Sequence, residues 1–133
     1  MKRLLPWLRS YGVETRIIFF AANSKNLPAY QYFTKLGFEC KLIYWELFNE
    51  EKNIQVIEDI KNYPLDIFIP NYFPAACYAA RWVKQSGIPT VCILHNDDDF
   101  HLKLINVFAL GDEADKVSAI IGVSELLTNI IRN

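Results

Sequence analysis

Ile88-Pro89-Thr90-Val91-Cys92-Ile93-Leu94-His95-Asn96-Asp97-Asp98-Asp99-Phe100 changes character in its middle. Gly87 and Pro89 close off what precedes it. A continuous apolar run with β-branched residues follows, and then one histidine, one asparagine and three aspartates in succession. An apolar run of this length between turn signals suits a strand covered on both faces, the usual condition of a parallel sheet. Polar residues at the carboxyl end of such a strand stand where open α/β sheets bind ligands.

Upstream, residues 2–11 read as a helix with Leu4, Leu5 and Leu8 on one face, stopped by Gly12. Residues 13–20 form a strand whose second half is wholly apolar, and residues 21–26 a polar loop. A helix over residues 27–36 tolerates Pro28 in its first turn and ends at Gly37. Residues 38–45 alternate before turning apolar, which suits a strand near a sheet edge. Asn49 caps a helix that opens on Glu50-Glu51, with Ile54, Ile57 and Ile60 as its inward stripe, and Pro64 breaks it. Residues 66–70 are a short third strand. Residues 74–86 form a helix whose Ala75, Ala76, Ala79 and Ala80 permit close approach to a sheet. Beyond the quoted stretch come a helix over 100–110, a fifth strand over 117–123, and a last helix capped by Ser124.

Strict alternation of helix and strand implies a parallel sheet with right-handed crossovers and helices on both faces. The expected architecture is therefore α/β: one three-layer, doubly wound, Rossmann- or flavodoxin-like domain over residues 1–133, with a five-stranded parallel sheet in the order 2-1-3-4-5.

Composition bounds the function. The 133 residues suffice for one substantial core, 52% of them are hydrophobic and 22% charged, as in a soluble globular protein. Fourteen basic against fifteen acidic side chains give no basic face for nucleic acid. No apolar run reaches the roughly 20 residues of a bilayer span, and the start lacks the features of a signal peptide. Cys40, Cys77 and Cys92 are odd in number and lie among apolar neighbours, which reads as reduced core thiols in a cytoplasmic protein.

In the expected strand order the switch-point crevice is lined by Asn23, Ser24, Asn71 and Tyr72, with His95, Asn96 and Asp97 on the fourth strand and Ser124-Glu125 after the fifth. A receiver domain needs acids where Ala21-Ala22-Asn23 and Pro70-Asn71 stand, and flavin binding wants glycine in the loop 23–26; both readings fail. With neither G-x-G-x-x-G nor a P-loop, no nucleotide cofactor is expected. Asp97-Asp98-Asp99 admits a D-x-D site for Mg²⁺ or Mn²⁺, but a solvated loop with Asp98 or Asp99 capping the next helix is the simpler reading. His95 reads equally as a hydrogen-bonded core histidine and as a functional one. His101 is expected at the surface. Ser124 is chiefly a cap, at a helix end that also favours a phosphate or sugar hydroxyl.

Four fragments resemble GT-B glycosyltransferases, especially those of the family 4 type. Leu65-Asp66-Ile67-Phe68-Ile69-Pro70-Asn71 is similar to their "pDivh.h" strand, and residues 79–91 to their "a..~k..giP.V" segment. Ile93-Leu94-His95-Asn96 is similar to "t.H[DN]", and Ala119-Ile120-Ile121-Gly122-Val123-Ser124-Glu125 to "iiavSe". Gly12-Val13-Glu14-Thr15-Arg16-Ile17 resembles the family's "G.eV.v". The resemblance implies an N-terminal, acceptor-side domain of an enzyme that moves a sugar from a nucleotide-sugar donor to an acceptor, whether glycan, lipid or small molecule. His95 would face the cleft near the transferred sugar as the catalytic candidate, Ser124 would lie near the inter-domain edge, and the family uses no D-x-D metal.

Two departures shape the expectation. The family opens with a strand and glycine-rich loop ahead of its first helix, and this chain starts at about that helix. It also stops where the linker to the donor-binding domain begins, so the donor would bind through a domain absent here. Residues 1–133 are then expected to be inactive alone. The rivals are a non-catalytic flavodoxin-like binding module and a D-x-D transferase. An exposed sheet edge left by a missing strand also invites a homodimer, and peripheral attachment at the inner membrane face is compatible with the family.

Overall fold

A computed structural model describes residues 1–22, 27–71, 73–113 and 116–132. The chain divides into two compact units, Met1–Phe48 and Asn49–Asn133. Each has its own short parallel sheet.

The first unit contains α1 (Leu4–Ser10), β1 (Arg16–Ala21), α2 (Pro28–Lys35) and β2 (Glu39–Tyr44). Strands β1 and β2 pair in parallel from Arg16↔Glu39 to Ala21↔Tyr44. Pro28 starts α2 where its missing N–H costs nothing. Gly37, at φ +75°, ends α2 in the left-handed region, with its N–H bonded to Thr34 O and the Phe38 N–H to Phe33 O. The buried residues are Phe33, Phe38 and Ile43. Phe33 is the hub of an aromatic cluster, edge-on to Tyr32 and Phe38 at 5.2 and 5.5 Å and tilted against Phe19 at 6.4 Å. Arg9 straps α1 to the turn after α2. Its guanidinium donates to Leu36 O at 2.8 Å and Gly37 O at 3.0 Å and lies 3.5 Å above the Phe38 ring.

The second unit contains α3 (Asn49–Asn62), α4 (Pro74–Gln85), β3 (Val91–Leu94), α5 (Asp99–Phe108), β4 (Ala119–Gly122) and α6 (Glu125–Arg132). Its core gathers Val56 and Ile60 of α3, the small residues Ala75, Ala76, Cys77, Ala79 and Ala80 of α4, Cys92 and Leu94 of β3, and Leu104, Ile105 and Phe108 of α5. Tyr78 meets the Phe108 ring edge-on at 5.1 Å. Strands β3 and β4 run parallel from Val91↔Ala119 to Leu94↔Gly122. Thr90, which is buried, and Ser118, which is exposed, lock the lower end of this pair, each backbone N–H donating to the other's hydroxyl at 3.0 and 3.1 Å. Cys40, Cys77 and Cys92 are free thiols.

The stripe expected on α3 is corrected. Ile54 is 55% exposed, and the buried positions are Lys52, Val56, Asp59 and Ile60. Residues spaced by three drift by about 60° per step around a helix, so Ile54 and Ile60 cannot share a face, whereas positions 52, 56 and 59–60 do. Burying Lys52 takes its aliphatic stem into the face.

The single five-stranded parallel sheet in the order 2-1-3-4-5 is also corrected. Among the described residues there are two sheets of two strands each, β1-β2 and β3-β4. The stretch expected as a third strand makes one isolated parallel bridge, Phe68↔Thr90. Its two hydrogen bonds run from Phe68 N to Pro89 O and from Val91 N to Phe68 O, both 2.9 Å. The next bonds of a parallel ladder in this register would need N–H groups on residue 70 and residue 89, and both are proline. Two prolines therefore cut the ladder to one rung. Phe68 is buried in it, while Ile67 and Ile69 are 50% and 43% exposed.

Candidate functional site

The carboxyl end of β3 opens into the polar run 95–99. His95 follows directly on buried Leu94 and emerges at the surface. Across from it the chain leaves the Phe68 bridge through Pro70 into Asn71. Asn71 has φ +45°, a left-handed backbone that asparagine adopts more readily than most side chains. The Phe73 N–H donates back to Pro70 O at 3.1 Å, closing the turn that leads into α4. This geometry brings the Asn71 amide oxygen 2.8 Å from His95 Nε2.

That contact sets the state of the ring. An amide oxygen only accepts, so His95 Nε2 carries the proton and Nδ1 of the neutral imidazole is an acceptor. Partial burial, and after it the neighbouring His101, push the His95 pKa below the ordinary value of 6.5. His95 is thus a neutral imidazole near pH 7, anchored at one nitrogen by a residue in a special backbone conformation.

Asn96, Asp97 and Asp98 form a turn of their own. Asn96 accepts the Asp97 N–H at 3.0 Å through Oδ1 and donates from Nδ2 to Asp98 Oδ2 at 2.7 Å. Asp98 Oδ1 caps α5, accepting the His101 backbone N–H at 2.9 Å, and lies 2.8 Å from His101 Nδ1. These bonds, the backbone one first, hold the Asp98 carboxyl below the usual carboxylate range. Asp98 is accordingly a cap whose two oxygens are both engaged. His101 is not the surface residue expected from the sequence: it is half-buried against Asp98. An aspartate at an N-cap followed three residues later by histidine was the available signal.

On the neighbouring strand Gly122 is the register partner of Leu94, and Ser124 follows two residues after that strand end. Ser124 caps α6, its hydroxyl accepting the Leu127 N–H at 3.3 Å and its carbonyl the Thr128 hydroxyl at 2.9 Å. Glu125 follows, exposed in the first turn. Sequence reasoning missed Gly122. A Cβ there would lie 2.6 Å from Thr128 N and 2.9 Å from Leu127 C, so α6 crosses the end of β4 where only glycine fits.

Of the residues expected to form the site, the structure joins His95 directly to Asn71 and groups Asn96 with Asp97 and Asp98 beside them. Ser124 and Glu125 stand at the end of the adjacent strand. Asn23, Ser24 and Tyr72 lie outside the described residues. Among the described residues no three His, Cys, Asp or Glu side chains converge as a metal site, and Asp98 is spent on its cap. No known protein family matches the chain, and no curated protein or solved structure is significantly similar to it.

Proposed function

We propose that residues 49–133 carry the acceptor-side part of a sugar-transfer site of the glycosyltransferase type, with His95 at its centre. The observation that carries this reading is the 2.8 Å contact between His95 Nε2 and Asn71 Oδ1 at the end of β3. It leaves Nδ1 as an acceptor on a neutral ring, the state that receives a hydrogen bond from a sugar hydroxyl. Support comes also from the order of the four family-like fragments, all in the second unit, and from polar residues at its two strand ends that match polyols: Asn96 and Asp97 after β3 and the capping Ser124 after β4. The nucleotide-sugar donor is held by a further domain, so the chain alone binds saccharide without transferring it. Three free cysteines suit a cytoplasmic setting.

Saturation-transfer NMR of the chain with a panel of monosaccharides and nucleotide sugars tests this. At least one saccharide is expected to bind, and His95→Ala or Asn71→Ala to weaken it roughly tenfold, the loss of one well-placed hydrogen bond. Binding of no saccharide, or binding indifferent to both substitutions, would remove His95 from the role.

A further inference from the structure

Helices α3 and α4 enclose a cleft between the ends at which they stop. Pro64, two residues past the last residue of α3, turns the chain away. Helix α4 ends ahead of Gly87, whose φ of +84° reverses the backbone. The Ile88 N–H then reaches back to Val83 O at 3.3 Å, which pins Ile88 beneath the helix end. The cleft measures about 220 Å³ and lies wholly within the second unit. Clefts for drug-sized molecules begin at roughly 300 Å³, so an occupant of this one is small.

The lining is largely apolar. Buried Ile60 and Val83 and half-buried Ile57 and Ile88 contribute to it, and so does Trp82, whose indole is left 53% exposed. A sugar would find few partners there. Two polar side chains reach the cleft, Lys61 and Ser86. The Ser86 hydroxyl is committed, donating to Trp82 O at 3.0 Å. The last carbonyls of α4 are committed too. Trp82 O and Val83 O accept the Ser86 N–H, Val83 O also that of Ile88, and Lys84 O that of Gly87. No acid is among the described lining residues. The Lys61 ammonium is therefore the one charged group on an apolar wall.

We propose that this cleft binds a small free carboxylic acid with an apolar body. The body lies against Ile57, Ile60 and Trp82, and the carboxylate pairs with Lys61. Charge selects the acid: an amine would meet Lys61 with like sign, and an alcohol would leave the ammonium without a counter-ion. The cleft lies at the amino end of β3, whereas His95 follows its carboxyl end. Seven residues separate Ile88 from His95, roughly 20 Å at the rise of an extended chain. The inference therefore holds whether or not the His95 end binds sugar.

NMR titration of the ¹⁵N-labelled chain with octanoate tests it. Saturable shifts are expected at the amides of Ile57, Lys61, Val83 and Ile88. Octanol and octylamine should bind about threefold more weakly or worse, and acetate, a carboxylate without the body, at least roughly tenfold more weakly. Trp82→Ser should weaken octanoate roughly tenfold. Lys61→Gln should weaken it about threefold and leave octanol unchanged. Both side chains are exposed, so circular dichroism should not change in either variant. No saturable binding, shifts that map away from α3 and α4, octanol or acetate matching octanoate, or octanoate affinity indifferent to either substitution would overturn the proposal.

Discussion

His95 and Asp98 respond to pH in different windows. The His95 pKa lies below 6.5 when folded, so the unfolded chain holds more protons as pH falls through that value. Stability is then lost on acidification from about neutral, and NMR titration of the His95 ring should give a midpoint below 6.5. Asp98 works as a depressed carboxylate: its stabilisation is full above the unfolded pKa and disappears as pH falls through the lower, folded one. Thermal melts of the wild type and Asp98→Ala should therefore differ near neutral pH and converge in strong acid. A gap that persists in acid would mean that the cap acts through something other than the carboxylate. At Gly122 the constraint is steric. Gly122→Ala should cost about 1–3 kcal/mol, because the new methyl meets backbone atoms of α6 that cannot rotate away; urea unfolding measures it. Of these residues only His95, Asp98 and the Ser124 cap could be read in the sequence, each from a local signal. Gly122 needed the helix crossing it, and the Asn71–His95 contact spans 24 positions.

Helix ends were legible for the same reason. Gly37 and Gly87, at φ +75° and +84°, stop α2 and α4 where their spacing implies. The inward face of α3 was not, since a run of isoleucines at three-residue steps draws the eye away from a stripe containing Lys52 and Asp59. The segment 66–70 is the clearest case. Its composition says strand, but the rung count depends on register, and only register reveals that both flanking donors fall on proline. This carries a direct consequence. Pro89→Val supplies an N–H opposite Asp66 O, so the new amide should be protected from hydrogen exchange as the ladder gains a rung. Free exchange at residue 89 would show that something besides the missing donor ends the pairing.

Two sheets replace one because strand signals identify strands and not their neighbours. Apolar runs and alternation fix which residues extend, while the choice of partner depends on packing between distant segments. The α/β class holds, but the strict alternation fails where α4 follows α3 with only the Phe68 bridge between them. Each unit now has a separate core, and Ile43→Ala and Leu94→Ala, both at fully buried sites, should each cost about 2–5 kcal/mol. Hydrogen exchange should localise the losses, to β1 and β2 for the first and to β3 and β4 for the second. Uniform loss over both sheets in either variant would mean that the units unfold as one.

The proposed sugar-binding role of His95 has a readout at the atom it concerns. In a chain labelled with ¹⁵N-histidine, His95 should show a protonated Nε2 and an unprotonated Nδ1 near pH 7, with the Nδ1 resonance moving saturably as saccharide is added and not moving in Asn71→Ala. The opposite tautomer, or an Nδ1 that stays still while saccharide binds, would contradict it.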